Sequence, residues 1–539
     1  MSLLKQKFLF LDCQTTGMRP PTGALLELGW GVASAEEQGA VMSRIVKLPE
    51  GHWLPGKVKE ITGIRESMLE EGVAEEELLG LLDIACVSSE AAPALVHYAQ
   101  FERAFLDDFF VRQGRELPFP FICTYRIARK LYPNVPSRNI RGILGYLGFP
   151  FREIKRAEAH VRATMEVWSE LAKELAVLGI HDLAALNAWL EEKPKPKKKG
   201  AAPVKFEYRV DRMKRLELPP RPGVYRMISK SGDILYVGKA TSLKDRVNSY
   251  FRGKKGRDPK KLEMMAQVWD LEVTECGSPL EAALLETDEI KRLDPPYNIS
   301  LKAGRRELHF YNRDFTATSA EQSAEFCQGP HRSSNGIEQV RQLLGEVNEA
   351  QAKRVLYEPI AEETYASGYA LFAAKNFPEL AAPTARQLIA LGMHSLRRLK
   401  KAAEVEEEAV EELMEEEAAA TEEAEAAEAA ESAEPLEELA VDLSPEEVAE
   451  KLDRVLLRAA LDYRRAKGLT RMLNAEVRWQ GAEGERVLRF RNGKMNADEP
   501  DGSEFPWRAL GIQDYDRMSV LISEVQKGDY RVERYGGRA

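Results

Sequence analysis

Two tyrosines sit in short apolar runs, Pro222-Gly223-Val224-Tyr225 and Leu235-Tyr236-Val237-Gly238-Lys239, separated by the turn sequence Ser231-Gly232-Asp233. If the runs are adjacent strands, the two phenols converge on one pocket. Hydrolysis of a phosphodiester needs a nucleophile, a charge clamp for the transition state and help for the leaving oxygen. A phenol near cations loses its proton more readily than its reference pKa of about 10 implies, so one of the two is a candidate general base for water. Lys239 and Arg246 can reach one phosphate from a strand end and a helix. Glu286 is a candidate ligand for a single Mg2+ or Mn2+, ions that prefer oxygen. The amide of Asn298 can fix loop geometry or substrate. Taken singly, Tyr225 or Tyr236 reads as a core aromatic, Glu286 as a solvated helix face and Arg246 as a surface cation. Their joint occurrence points to catalysis.

Between Lys239 and Lys261 there are nine Lys or Arg against two Asp, with Tyr250 and Phe251 among them. Cations interleaved with aromatics suit phosphate contacts and packing on bases or sugars. Phosphate contacts carry no sequence code, so the stretch favours structure- or damage-directed DNA binding over sequence reading. Gly238, Lys244, Tyr250 and Asn298 are the candidate substrate-binding positions; a plain solvated basic helix is the other reading.

These motifs, followed by Glu281-Ala282-Ala283-Leu284-Leu285-Glu286, Ile290-Lys291-Arg292 and Pro295-Pro296-Tyr297-Asn298, resemble the GIY-YIG nuclease domain across residues 217–302. Among its branches they are most similar to the amino-terminal nuclease of UvrC and its short homologue Cho. The resemblance implies a metal-dependent endonuclease that makes a single-strand incision in nucleotide excision repair, as part of the SOS response. It also implies damaged duplex DNA as substrate and UvrA- and UvrB-type partners. The matching positions in that family are catalytic or site-forming, and only Val224 and Val237 depart, each standing where the family has Ile.

A second constellation lies upstream. Asp12-Cys13-Gln14 ends an apolar run, and His97-Tyr98-Ala99-Gln100-Phe101-Glu102 and His160 follow. With Ile61-Thr62-Gly63-Ile64 and the segment 126–133 these resemble the DnaQ-like (DEDDh) exonuclease domain over residues 5–178. Such enzymes hold two metal ions with four carboxylates, while a histidine activates water. The resemblance places those ligands at Asp12, Gln14, Glu102 and Met165, with His160 as the base. Gln14 is a neutral amide, and the thioether of Met165 is a poor ligand for a hard cation. Glu166 lies about 100° round a helix from that position. The expectation is therefore a degenerate site on a retained fold.

The elements that must position these residues divide the 539-residue chain into several domains. The expected class is multidomain α/β. An RNase H-like, DnaQ-type domain (1–185) precedes a Lys/Pro linker (186–207) and a small α/β GIY-YIG domain (208–302). A mixed α/β to helical region (303–402), a Glu/Ala-rich tract (403–441) and a helix followed by strands (442–539) complete it. Strands are expected at 7–12 and Leu25–Val32, and helices at 158–178, 337–347 and, broken at Gly392, 381–402. The 221–302 unit reads as two short strands, a basic helix and a further helix. Ser444-Pro445-Glu446-Glu447 has the pattern of a capping box opening a helix to about Leu473. The last 60 residues alternate like strands about a turn at Asn492-Gly493.

The net charge of −10 conceals this organisation. Between Glu404 and Glu438 stand 17 Glu and no Lys, Arg or Asp, so the remainder of the chain is basic. The tract is a solvated spacer or an acidic mimic of DNA that restrains the nuclease. Phe326–Ser333 is faintly similar to the Gly-Pro segment that follows the UvrC nuclease. Residues 381–402 lack a helix-hairpin-helix Gly-x-Gly, and no second, RNase H-like nuclease domain of the full UvrC kind is evident, so one cut is expected rather than two. Five scattered cysteines without a CxxC pair indicate neither a disulfide framework nor a zinc site. No stretch reaches about 18 apolar residues, which leaves cytoplasm as the default and a membrane partner disfavoured. Two rival functions stay open: a bifunctional nuclease with an active 3′–5′ exonuclease domain, and a non-catalytic DNA-binding repair scaffold.

Overall fold

This computed structural model describes residues 2–20, 22–88, 93–192, 206–252, 258–298, 308–332, 336–356, 360–379, 382–402, 443–481, 484–491, 493–495 and 511–534. The linker core 193–205, the Glu-rich tract 403–441, Asn492 and Ser333 lie outside the described residues. Contacts group the chain into two units, Met1–Cys276 with Pro295–Ile299, and Gly277–Asp294 with Ser300–Ala539.

In the first unit, strand β1 (Phe8–Thr15) alternates between two apolar layers. Phe8 and Phe10 enter one, and Leu9, Leu11 and Cys13 the other. It pairs antiparallel with β2 (Leu25–Ala33), which pairs antiparallel with β3 (Val41–Ile45). On its other side β1 runs parallel to β4 (Ala94–Val96), itself parallel to β5 (Phe121–Cys123). The order β3-β2-β1-β4-β5 is the expected RNase H-like sheet. Helices α1 (Gly56–Thr62), α2 (Glu66–Glu70), α3 (Glu75–Ser88), α4 (Ala99–Arg112), α5 (Thr124–Leu131), α6 (Ile140–Leu147), α7 (Ala157–Val177) and α8 (Leu183–Glu191) surround it. Val161, Met165 and Trp168 of α7 share the apolar layer of Phe8 and Phe10. Helix α8 reaches into the stretch expected as linker, because Asp182 caps it and Leu186 is fully buried.

The same unit continues with α9 (Arg212–Leu216), β6 (Gly223–Ile228), β7 (Ile234–Ala240), α10 (Leu243–Phe251), α11 (Pro259–Gln267) and β8 (Asp270–Glu275). The three strands form an antiparallel sheet in the order β7-β6-β8. Strand β8 and helix α11 were not expected. Strand β8 holds only Leu271 and Val273 among polar residues, the composition of an edge. Helix α11 begins with Asp258 as cap and Pro259, a start hidden within the basic stretch.

The second unit holds α12 (Pro279–Leu293), β9 (Leu308–Tyr311), β10 (Thr318–Ser319), β11 (Gln328–Arg332), α13 (Gly336–Gln342), α14 (Glu349–Leu356), α15 (Glu362–Asn376) and α16 (Ala385–Ala402). It continues with α17 (Pro445–Met472), β12 (Ala475–Gly481), β13 (Gly484–Arg491), β14 (Lys494–Met495), α18 (Ile512–Lys527) and β15 (Arg531–Arg534). The capping box forms. Ser444 Oγ accepts the Glu447 N–H at 3.2 Å, and Glu447 Oε2 accepts the Ser444 N–H at 2.8 Å. Helix α13 stops short of the expected 347. Helix α16 is unbroken at Gly392, where an added Cβ would stand 2.1 Å from the Leu456 carbonyl oxygen of α17. The glycine serves close helix packing rather than a break. The hairpin β13–β14 turns at Gly493, φ +76°, but the expected all-strand ending contains α18, which buries Tyr515, Met518 and Leu521 at helical spacing. No helix among the described residues is long and apolar enough to cross a membrane.

Candidate nuclease sites

Strands β6 and β7 pair with Tyr225 opposite Gly238 and Tyr236 opposite Met227. The Tyr225 and Tyr236 rings lie 6.1 Å apart, and Tyr250 from α10 completes a triangle at 6.0 and 6.4 Å. The Tyr225 and Tyr250 hydroxyls are 2.9 Å apart. The Arg246 guanidinium, one helical turn before Tyr250, lies 5.5 Å from its ring. Gly238 sits beneath the phenols: a Cβ there would stand 2.4 Å from the Tyr225 hydroxyl oxygen and 2.8 Å from Tyr236 Cε1. The structure thus gathers Tyr225, Tyr236, Gly238, Arg246 and Tyr250.

One expectation changes. Tyr225 does not become more acidic near Arg246. Burial, aided by the neighbouring phenols, pushes its pKa well above the usual value, and the opposing arginine charge is the smaller effect. Asn298 takes the first of its two expected roles, fixing local geometry. Its Oδ1 accepts the Val237 N–H and its Nδ2 donates to the Val237 carbonyl, both at 2.9 Å, so it fastens the edge of β7.

The remaining positions are placed as follows. Lys239 is half-buried on β7 opposite Val224, and Lys244 is exposed on α10, whose N-cap is Ser242. Glu286 is half-buried on α12 of the second unit, a helix opened by Ser278 and Pro279. Near its end, the buried Lys291 Nζ meets Asp516 Oδ2 of α18 at 2.8 Å, and Arg517 reaches Asp288 at 2.7 Å. Asn248, missed in the sequence, joins α10 to α9. Its Oδ1 accepts from Arg215 at 2.6 Å and its Nδ2 donates to the Arg215 carbonyl at 2.8 Å.

In the exonuclease-like site, Asp12 and Gln14 adjoin, with Gln14 Nε2 donating to Asp12 Oδ2 at 3.0 Å. Glu102 Oε2 accepts the Cys13 N–H at 2.8 Å, and His160 Nδ1 lies 3.5 Å from Asp12 Oδ1. Burial, reinforced by Glu102, pushes the Asp12 carboxyl well up. Burial raises Glu102 to about 7 and holds His160 down at about 4. Met165 does not join them; it is fully buried in the apolar layer, its methyl against Gly31. Glu166 instead pairs with Arg152. Sequence reasoning missed Glu27, fully buried opposite Gln14, which accepts from Arg156 at 2.7 and 2.9 Å and from the Ala157 N–H at 3.0 Å. That clamp fixes the start of α7 and so the placement of His160. A lone acid in an otherwise apolar strand was the available signal. Among the described residues no cluster of three or more His, Cys, Asp or Glu could hold a metal ion. Two carboxyls, a neutral amide and a core thioether do not fit a two-metal site.

Residues 221–299 match the family model of the UvrC-like GIY-YIG domain. This segment is a UvrC-like GIY-YIG domain. A protein of Mycobacterium tuberculosis, named as a candidate bifunctional exonuclease/endonuclease, is 29% identical over 309 residues, covering 55% of this chain and 45% of its own length. The UvrABC system protein C of a Psychrobacter species is 48% identical over 94 residues, 17% of this chain and 15% of that one. The chain therefore spans less than half the length of these relatives. Among solved structures, the magnesium-bound amino-terminal GIY-YIG endonuclease domain of Thermotoga maritima UvrC is 30% identical, with a TM-score of 0.14, over 16% of this chain and 94% of its own. Escherichia coli exonuclease I with a dT13 oligonucleotide is 14% identical, with a TM-score of 0.30, over 41% of this chain and 48% of its own.

Proposed function

We propose that the chain is a divalent-metal-dependent DNA endonuclease of the UvrC/Cho type, making a single-strand incision in nucleotide excision repair. The observation that carries this reading is the cluster of Tyr225, Tyr236, Tyr250 and Arg246 built over Gly238 within the matched segment. Its domains are the exonuclease-like fold 1–185, the linker 186–207, the nuclease 208–302 and the regions 303–402, 403–441 and 442–539. Its substrate is damaged duplex DNA delivered by UvrA- and UvrB-type partners in the cytoplasm.

Tyr225, which keeps its proton, acts as a hydrogen-bond donor, and Tyr236 takes the role of general base for water. Lys239 and Arg246 hold the phosphate, with Lys244 and Tyr250 along the strand. The Glu286 carboxylate is a hard oxygen donor that fits Mg2+ or Mn2+. Glu286 would hold such an ion, which when bound would supply positive charge for phosphodiester hydrolysis. The test is nicking of lesion-bearing and undamaged duplexes with Mg2+ or Mn2+, with and without UvrA and UvrB. Cleavage lost in Glu286→Ala supports the reading, and no cleavage under any of these conditions overturns it.

The convergence of Asp12, Glu102 and His160, with the name of the mycobacterial relative, favours one second reading: a bifunctional nuclease that also trims 3′ ends. Gln14 and Met165 oppose it. Trimming of a labelled single strand that survives Glu286→Ala and is lost in Asp12→Ala would establish it.

A further inference from the structure

The exonuclease-like fold and the nuclease sheet meet within the first unit through a built contact. Gly145 of α6 lies against Gln267 of α11, where an added Cβ would stand 2.1 Å from Gln267 Cγ. The Gly145 carbonyl accepts the Trp269 indole N–H at 2.7 Å. The Arg209 guanidinium stacks on the Tyr146 ring at 4.0 Å and the Trp269 ring at 5.0 Å, and its Nε donates to the Tyr146 carbonyl at 3.2 Å. A planar cation between two rings, fixed by a hydrogen bond, is a rigid joint.

Glu263 of α11 extends this joint toward the nuclease. Its Oε2 accepts from the side chain of Asn139, the N-cap of α6, and its Oε1 accepts the Tyr297 hydroxyl at 2.6 Å. Gln267 also donates to the Tyr297 hydroxyl. Tyr297 in turn gives its N–H to the Leu235 carbonyl at 3.1 Å, and the next residue, Asn298, holds both backbone groups of Val237. Leu235 and Val237 flank Tyr236, and Gly238 follows.

We infer that the exonuclease-like fold is the buttress of the nuclease: through Asn139, Glu263 and Tyr297 it fixes the strand that bears Tyr236. This rests on the nuclease reading above. Glu263 and Tyr297 are positioning residues, since they act through β7 rather than on the phosphate. A fold whose donor set does not suit two metals thereby has a task that needs its shape and not its acids.

The test uses the full chain and the variants Tyr297→Phe, Glu263→Gln and Gly145→Ala, with Arg103→Ala, half of an exposed pair on α4, as control. In the first three, the turnover number of Mg2+-dependent nicking falls about tenfold while KM for DNA stays within about twofold, because misplacement costs the chemical step and not binding. Amide exchange at Val237 and Tyr297 speeds by about tenfold or more as the strand loosens. The Tyr297→Phe/Glu263→Gln pair is no worse than either single change. Exchange at Val237 unchanged from wild type in Tyr297→Phe and Gly145→Ala overturns the buttress, as does an unchanged turnover number. A wild-type chain that does not cut overturns the nuclease reading instead, and amide exchange still decides the buttress.

Discussion

The hydroxyls of Tyr225 and Tyr250 meet at 2.9 Å, tying strand β6 to helix α10, which also carries Arg246. Burial keeps the Tyr225 proton in place against that positive charge. Tyr225→Phe is expected to lower the nicking turnover number about 100-fold, the range for losing one proton-transfer or donor group. Tyr250→Phe, which leaves the Tyr225 hydroxyl in place, costs about tenfold. The raised folded value also fixes the sign of a stability effect. Below about pH 10 both states hold the proton; above it the unfolded chain ionises first, so stability is lost as pH rises. Alkaline unfolding of Tyr225→Phe should be flatter than wild type. A wild-type rate in this variant removes Tyr225 from the chemistry.

Asn298 does for β7 what a fourth strand would do, satisfying the N–H and carbonyl of Val237 on the open edge. Asn298→Ala leaves both groups without that partner and is expected to cost about 2–4 kcal/mol in urea unfolding. Asn298→Asp keeps an acceptor for the N–H but sets a carboxylate against the Val237 carbonyl. It should be at least as damaging at pH 7 and recover toward pH 4, where the protonated acid can donate again. Equal losses at both pH values would show that the bond to the carbonyl contributes nothing.

The pattern of legibility follows range. The cap of α17 was readable from Ser444 to Glu447 because four consecutive residues contain the whole motif. Tyr225, Tyr236 and Gly238 were readable because strand alternation and one turn set their relation. Glu27 and Arg156, 129 residues apart, have no local signature, and neither have Glu263 and Asn139. The acidity of Tyr225 was misjudged for a related reason. Sequence displays the cation nearby at Arg246, but burial, which outweighs it, is a property of the packed sheet. Met165 was the reverse case: the resemblance put it at a ligand position, and packing against Gly31 explains why an apolar residue suits it.

Lys291 and Asp516 form a buried pair, 6% and 0% exposed, between α12 and α18, and Arg332 lies 3.8 Å from the same carboxylate. Asp516→Asn leaves Lys291 with a neutral partner in a buried setting and is expected to cost about 3–5 kcal/mol. Replacing both at once, Lys291→Met with Asp516→Leu, should recover most of that loss, since the desolvation of both charges disappears with them. Chemical denaturation of the two variants separates these cases. Equal destabilisation by the single and the double change would mean that Arg332, not Lys291, is the partner that matters.

His331 should make the second unit acid-sensitive. Its ring is 2% exposed on β11, 5.4 Å from the Tyr311 ring, and its Nε2 meets no hydrogen-bond partner among the described residues. Burial, with the charge of His309 adding to it, holds its pKa down at about 3. The folded value lies below the unfolded value of about 6.5, so the unfolded chain binds a proton that the folded chain refuses. Stability is therefore intact above about pH 6.5 and declines as pH falls toward 3 and below, by about 5 kcal/mol in all. His331→Phe keeps the ring volume and removes both the titration and the unpaired nitrogen. It should add about 1–2 kcal/mol at pH 7 and more at pH 4.5. Urea unfolding at pH 7, 5.5 and 4.5 measures this. Parallel losses in variant and wild type would move the acid sensitivity to His97 and His160 of the first unit, whose values burial holds at about 4.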